Sequence, residues 1–355
     1  MSMPRLFQYI LEVLCVAGFY LVALTGGCQI QGLAFVLLLF TKAWPIVVIY
    51  VGWYMFFERN TPKQGGRPRK DFMIKLPLFK FMKDYYPITL EKTSELDPQK
   101  NYILGYHPHG LISEGAVVAI QSDALGFREK FPGIEPHMTV HSFLLKAFLY
   151  RDILMSLGFV DVSKDSLKYA LTKLGPGHSV ILVVGGAAEI TDCHPDVYHL
   201  TLKNRKGFIR VALETGSSLV PVLGFGQNNI YTHVWKGPGT LYWRLQHWLN
   251  ETTAHHWFRF SFYCCYGFLG VLPWHTPINV VVGSPIEVSK QASPTQEEVN
   301  LLHARTKDPI FKRYQFTHLT STASSASQYI KKSANYAFGS CDAWQSFLGF
   351  SAMII

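Results

Sequence analysis

Two histidines flank a proline and precede a glycine in His107-Pro108-His109-Gly110, at the end of the apolar run Tyr102-Ile103-Leu104-Gly105-Tyr106. A β-prone run that stops at imidazoles reads as a buried strand delivering histidines to the rim of a sheet. Histidine is the side chain best suited to taking a proton near neutral pH. Pro108 removes a backbone donor and stiffens the turn, while Gly110 lets the chain bend or a substrate approach closely. Glu114 follows His109 in a His-x4-acid spacing, so a carboxylate stands near enough in sequence to hold an imidazole in one tautomer. Proton transfer is the chemistry this set favours. Two other readings stand beside it: a satisfied polar turn, and a pair of ligands for zinc or a similar ion. The metal reading needs further ligands from other strand ends. The only other tight cluster is His194-Pro195-Asp196 with His199, in a polar segment, and no cysteine pair has a zinc spacing.

The elements that must carry these residues are set by composition and pattern. Hydrophobic residues make up 48% of the 355 and charged residues 16%, too apolar for an ordinary soluble enzyme and too mixed for a polytopic transporter. A membrane-attached globular domain fits both values. Six cysteines, two of them adjacent at Cys264-Cys265, form no disulfide framework and point to a reducing, cytosol-facing environment. The net charge of +9 comes without the interleaved basic and aromatic residues of a nucleic-acid module, so no nucleic-acid partner is expected. Instead Arg59, Lys63, Arg67, Arg69 and Lys70 crowd one segment after a long apolar stretch, where cytosolic charge and anionic headgroups would place them.

Two apolar stretches open the chain, at residues 7–24, interrupted by Glu12, and 33–57, interrupted by Lys42 with Pro45 near its middle. They predict a transmembrane helical hairpin over residues 1–58 with both ends in the cytosol; a cleaved signal peptide is the rival for the first stretch. From residue 59 to 305 apolar runs alternate with helix-like segments. Strands are expected at 102–106, 180–184, 219–225 and 278–282, with helices at 144–157 and 166–174 between the first two. This alternation predicts an α/β layered domain with a largely parallel sheet, whose active site lies outside the carboxyl ends of the strands. His109 and Glu189 then share one rim. The aromatic patch at 258–272 reads either as core or as a membrane-dipping surface. Residues 306–355 read as an atypical, poorly structured tail.

Several signatures follow in order: Tyr85-Tyr86-Pro87, His107-Pro108-His109-Gly110, Arg151-Asp152 with Gly158, Gly185-Gly186-Ala187-Ala188-Glu189, and Arg205-Lys206-Gly207-Phe208. Pro221-Val222 with Phe225-Gly226, Leu272-Pro273 with Pro277-Ile278, and Pro294-Thr295-Gln296-Glu297-Glu298 complete them. Together they resemble the type-2 diacylglycerol acyltransferase family, which includes the monoacylglycerol and wax-alcohol acyltransferases. The resemblance implies a glycerolipid-acyltransferase-like fold and an integral enzyme of the endoplasmic reticulum membrane and lipid droplets. Its reaction would move an acyl group from acyl-CoA, as co-substrate and without a cofactor, to an acylglycerol or a long-chain alcohol. On that resemblance His109 is the general base and Glu189 its carboxylate partner, with Glu114 as the alternative given by spacing. His107 positions substrate or polarises the thioester, and Gly110, Gly185 and Gly186 shape the turns beside it. Arg205, Lys206 and Arg210 form a cationic group suited to the phosphates of CoA, or else a solvated basic face. Arg151-Asp152 reads equally as a structural ion pair. Membrane lipid and a second copy of the chain are among the expected partners.

The chain departs from the family pattern in three places. Gly226-Gln227-Asn228-Asn229 stands where relatives carry Gly-Glu-Asn-Asp, Phe258-Arg259-Phe260 stands near a usual Gly-Arg-Gly, and the residues after Arg305 have a different character. The lost carboxylates and the tail keep one rival open beside the acylglycerol enzyme, a weakened lipid-binding or dimerising homologue, and the His-x-His pair keeps another, a membrane hydrolase with His107 and His109 on a metal. Asn250-Glu251-Thr252 matches an N-glycosylation acceptor, which the cytosolic topology expects to stay bare.

Overall fold

In the computed structural model the described residues are 5–24, 30–186, 189–190, 195, 200–233, 241, 244, 265–267 and 272–306, all within one unit, Met1–Pro309. His194, Asp196 and His199, the Asn250 acceptor, Arg259 with most of the 258–272 patch, and the tail from 307 lie outside them.

The first apolar stretch folds as α1 (Arg5–Leu24), and it is the one helix among the described residues long and apolar enough to cross a membrane. The second stretch does not form a single arm. It divides into α2 (Ile30–Leu38) and α3 (Trp44–Trp53), separated by a turn at 39–43. Pro45 explains the break, because it lacks an N–H and its ring clashes with the carbonyl four residues back, so a helix cannot run through that point undisturbed. Thr41 closes the gap: its hydroxyl donates to the Leu38 carbonyl (2.8 Å) and accepts the Ala43 N–H (3.1 Å). At 1.5 Å per residue α2 is about 14 Å long, roughly half a hydrocarbon core, whereas α3 runs on without a break into a π-helical turn at Tyr54–Glu58.

Nine strands are present among the described residues: β1 (Thr89–Lys92), β2 (Tyr102–His107), β3 (Glu135–Val140), β4 (Val160–Asp161), β5 (His178–Val183), β6 (Ser218–Phe225), β7 (Thr232–His233), β8 (Cys265–Tyr266) and β9 (Asn279–Val282). Seven of them make one sheet in the order β1-β9-β6-β2-β5-β3-β4, and β7 pairs with β8. From β6 to β4 every neighbour is parallel; β9 runs antiparallel to β6, and β1 parallel to β9. The largely parallel α/β sheet expected from the alternation is therefore present. All six residues of β2 are buried, as a central strand covered on both faces requires. β3 escaped the pattern because Pro136 and His137 break its apolar run, yet it pairs with β5 along Glu135–Met138.

Helices Lys164–Lys173 and Gly207–Thr215 pack together, and a helix at 296–306 follows Thr295. Thr295 and Glu298 cap that helix reciprocally: Thr295 Oγ1 accepts the Glu298 N–H (3.3 Å) and the Glu298 carboxylate accepts the Thr295 N–H (2.7 Å). The expected helix at 144–157 is interrupted at Leu149, whose φ of 63° ends one turn before Tyr150–Ser156 begins.

Arg151 fastens α3 and its extension to this layer. Its side chain is fully buried, donates to the carbonyls of Glu58 (2.9 Å) and Leu145 (3.2 Å), and lies over the Tyr54 ring. Asp152 beside it takes Arg67 (2.8 Å) and the Tyr50 hydroxyl. The pair is structural, and its charges are matched where they are buried. Replacing Arg151 with leucine should cost about 3–5 kcal/mol, because it strands the Glu58 and Leu145 carbonyls and removes a buried cation from beside Asp152. The measurement is the thermal unfolding midpoint of purified protein in detergent; an unchanged midpoint would contradict this role.

Candidate active site

Parallel pairing sets Tyr106 opposite Val183 of β5 and Val222 of β6, so the chain leaves all three strands at nearly one level. β2 ends in His107, and past it come His109 and Gly110; past β5 come Gly185, Gly186 and Glu189; past β6 comes Gln227. Gly186 turns the chain in the left-handed region (φ 59°). Gly185 leaves room for Glu189 to fold back: a Cβ there would sit 1.8 Å from the Glu189 carboxyl carbon.

Glu189 is buried, and its carboxylate clasps two segments. One oxygen accepts the backbone N–H of His109 (3.1 Å), and the other accepts that of Thr201 (2.7 Å). The second oxygen also lies 4.0 Å from Nδ1 of His107. Glu189 thus meets His107 by its ring and His109 by its backbone.

His109 is partly buried, whereas His107 is almost wholly enclosed. Nδ1 of His109 lies 3.1 Å from the Gly110 carbonyl oxygen. A carbonyl only accepts, so this contact places the proton on Nδ1 and leaves the lone pair on Nε2. Burial pushes the His109 imidazole down to about 4 and that of His107 to about 3. Burial disfavours the charged form, so both rings are neutral at neutral pH. A neutral ring with a fixed tautomer is the form that can accept a proton.

Glu114 is fully buried, and both its oxygens are taken: one by the Tyr20 hydroxyl of α1, the other by the Gln227 amide. Its spacing from His109 does not bring it into the part that Glu189 occupies. Gln227 is a junction that the sequence marked only as a departure. Its amide oxygen accepts the Tyr106 hydroxyl (3.0 Å) and the Gly115 N–H (2.9 Å). Gly110 is tight against it, since a Cβ there would meet the amide nitrogen at 2.7 Å. Tyr20 and Tyr106 carry no catalytic signature in the sequence, and only the fold brings their hydroxyls here.

The three cations divide. Arg205 donates to the Gly185 carbonyl (3.3 Å) and so lies against the turn that holds Glu189. Lys206 and Arg210 reach the 296–306 helix, at Asn300 (2.8 Å) and Gln296 (3.2 Å). Among the described residues none of the three is bridged to a carboxylate, and no group of three or more His, Cys, Asp or Glu stands together as metal ligands.

Residues 36–321 match the diacylglycerol acyltransferase family. The chain is 40% identical over 272 residues to diacylglycerol O-acyltransferase 2B of Umbelopsis ramanniana, covering 74% of this chain and 75% of that one. It is 39% identical to human 2-acylglycerol O-acyltransferase 3, covering 84% of each, and 37% identical to human acyl-CoA wax alcohol acyltransferase 1, covering 79% and 85%. A crystal structure of the 1-acyl-sn-glycerophosphate acyltransferase PlsC from Thermotoga maritima aligns with 86% of this chain and 97% of its own, at 12% identity and a TM-score of 0.40, too loose a match to bear on the site.

Two outcomes follow from this geometry. Gly185→Ala should force Glu189 out of its place and lower turnover by about 10²-fold, the scale of an ångström-sized misplacement; steady-state kinetics on the purified variant reads it. A base must be neutral to act, so kcat/KM should stay level through pH 6.5 and fall as pH drops through about 4, where His109 gains its proton. An acid limb at 6.5 would assign that ionisation to another group.

Proposed function

Because the chain belongs to the diacylglycerol acyltransferase family, we propose that it transfers an acyl group from acyl-CoA to the hydroxyl of an acylglycerol, with His109 as general base. Monoacylglycerol giving diacylglycerol, or diacylglycerol giving triacylglycerol, are the reactions named by its relatives; a long-chain alcohol is the second acceptor class, favoured by the wax-alcohol relative. The observation that carries the assignment is the His109 ring: neutral, partly exposed on the strand rim, and tied through Nδ1 so that Nε2 is the proton acceptor.

A thioester is already an activated donor, so the main task is to deprotonate the attacking hydroxyl. Nε2 of His109 takes that proton as the oxygen bonds to the thioester carbon. The tetrahedral intermediate then collapses, the C–S bond breaks, and the proton passes to the departing CoA sulfur. The imidazolium formed in between keeps its Nδ1–H on the Gly110 carbonyl, while the buried Glu189 carboxylate fixes the backbone of His109 and lies against the ring of His107. Arg205, Lys206 and Arg210 supply the cations for the phosphates of CoA, with Arg205 linking that end to the catalytic turn. This chemistry calls for acyl-CoA as co-substrate and for no further cofactor.

The outer face of α1, with Leu6, Ile10, Leu14 and Leu21 exposed, and the exposed residues of α2, α3 and the turn between them, including Phe40, Trp44 and Ile49, are the membrane-contacting surfaces. Exposed Lys63, Lys70 and Lys75 sit where anionic headgroups would meet them. The matching location is the cytosolic face of the endoplasmic reticulum membrane and of lipid droplets.

The test is acyl transfer from labelled oleoyl-CoA in microsomes from cells without endogenous triacylglycerol synthesis, offered monoacylglycerol, diacylglycerol and a long-chain alcohol. Acylglycerol ester that disappears with His109→Ala is the expected result. Product only from the alcohol would select the wax reading, and no product from well-expressed protein would overturn the assignment.

A further inference from the structure

The polar network behind the catalytic turn begins on the N-terminal helix. Glu12, Val16 and Tyr20 recur at i, i+4 and i+8 of α1 and are buried, a stripe that packs on helix Pro77–Tyr85 and the core beneath it. Leu6, Ile10 and Leu14 form a second stripe that stays exposed. One helix therefore offers lipid an apolar face along its length while its other face touches the catalytic layer.

At the end of the inner stripe, Tyr20 is 3% exposed and its hydroxyl donates to Glu114, which is 0% exposed. Tyr86 in turn donates to the Tyr20 oxygen (3.3 Å), and the Tyr231 ring packs edge-on against Tyr20. The other Glu114 oxygen holds the Gln227 amide, whose oxygen holds Gly115 and Tyr106. That same amide group abuts Gly110, and the Gly110 carbonyl fixes Nδ1 of His109. An unbroken line of contacts runs from α1 to the base.

We propose that Tyr20 is a positioning residue, which holds Glu114 and through Gln227 and Gly110 sets the orientation of His109, so that seating of α1 against the domain is a condition for acyl transfer. The inference rests on the reading of His109 as the base of an acyltransferase. A buried carboxylate needs donors on both oxygens. Without the Tyr20 hydroxyl, Glu114 shifts toward its remaining donors, the Gln227 amide and the backbone of Ile112 and Glu114, and the groups that move with it are those of the catalytic turn. A phenylalanine at 20 keeps the ring packing and removes only the donor.

The experiment compares the full-length wild type, Tyr20→Phe, Glu114→Gln and the double variant in the same microsomes. Tyr20→Phe should lower kcat about tenfold, leave KM for oleoyl-CoA unchanged, and leave the membrane-recovered amount and thermal midpoint near wild type. Adding Glu114→Gln should recover part of the loss, because a neutral amide no longer needs the phenol, so the two effects are not additive. An inactive wild type would sink the acyltransferase reading itself. An active wild type with Tyr20→Phe equal to it, or a double variant at the product of the single losses, would overturn the coupling alone. So would a Tyr20→Phe loss that follows the amount of folded protein and is not recovered, which would leave Tyr20 as a packing residue.

Discussion

Parallel pairing of β2 with β5 and β6 places Tyr106 between Val183 and Val222, and the three turns that follow rise from one edge of the sheet. His109, Glu189 and Gln227 come from those turns, and His107 and Tyr106 from the end of β2 itself. A slip of one residue in either pairing would reverse the faces of the strand and carry Glu189 or Gln227 away from the histidines. The all-buried β2 makes such a slip costly, because both its faces are packed. Precision at the rim is therefore inherited from apolar packing beneath it.

Above that rim the molecule encloses charges and gives each a partner. Glu189 has two backbone N–H groups, Glu114 a phenol and an amide, and Arg151 two carbonyls. Each of these groups joins segments far apart in sequence, and each would be costly if its partner were removed. The two carboxylates near the histidines do different work: Glu189 clasps the turn that bears them, and Glu114 ties that turn to α1. Their distinction lies in partners, since both are buried acids.

Much of the frame could be read from residue pattern. The strands at β2, β5, β6 and β9 are apolar runs bounded by turn residues, and periodicity finds such runs. β3 stayed hidden because Pro136 and His137 interrupt it, and its place is secured by pairing with β5. The break between α2 and α3 was marked by Pro45, but mean apolarity over 33–57 outweighed it. At the site, the His107–Gly110 motif and Glu189 carried a signal because imidazoles and carboxylates are chemically distinctive. Tyr20 and Tyr106 carried none, and Gln227 showed only as a departure from the family pattern: hydroxyls and amides are common in cores, and their meeting depends on contacts spanning 94 and 121 residues of sequence.

If the segments beside the 39–43 turn enter lipid as proposed, the shortness of α2, nine residues, has a mechanical consequence. A unit of that length, immersed in lipid, displaces acyl chains on one side of a bilayer and leaves the opposite side at its original area. Inserting it relieves tension in a surface whose headgroups are spread apart, and adds strain to one already crowded. It also needs no second aqueous boundary, so a phospholipid monolayer over an oil phase can receive it on the same terms as a bilayer.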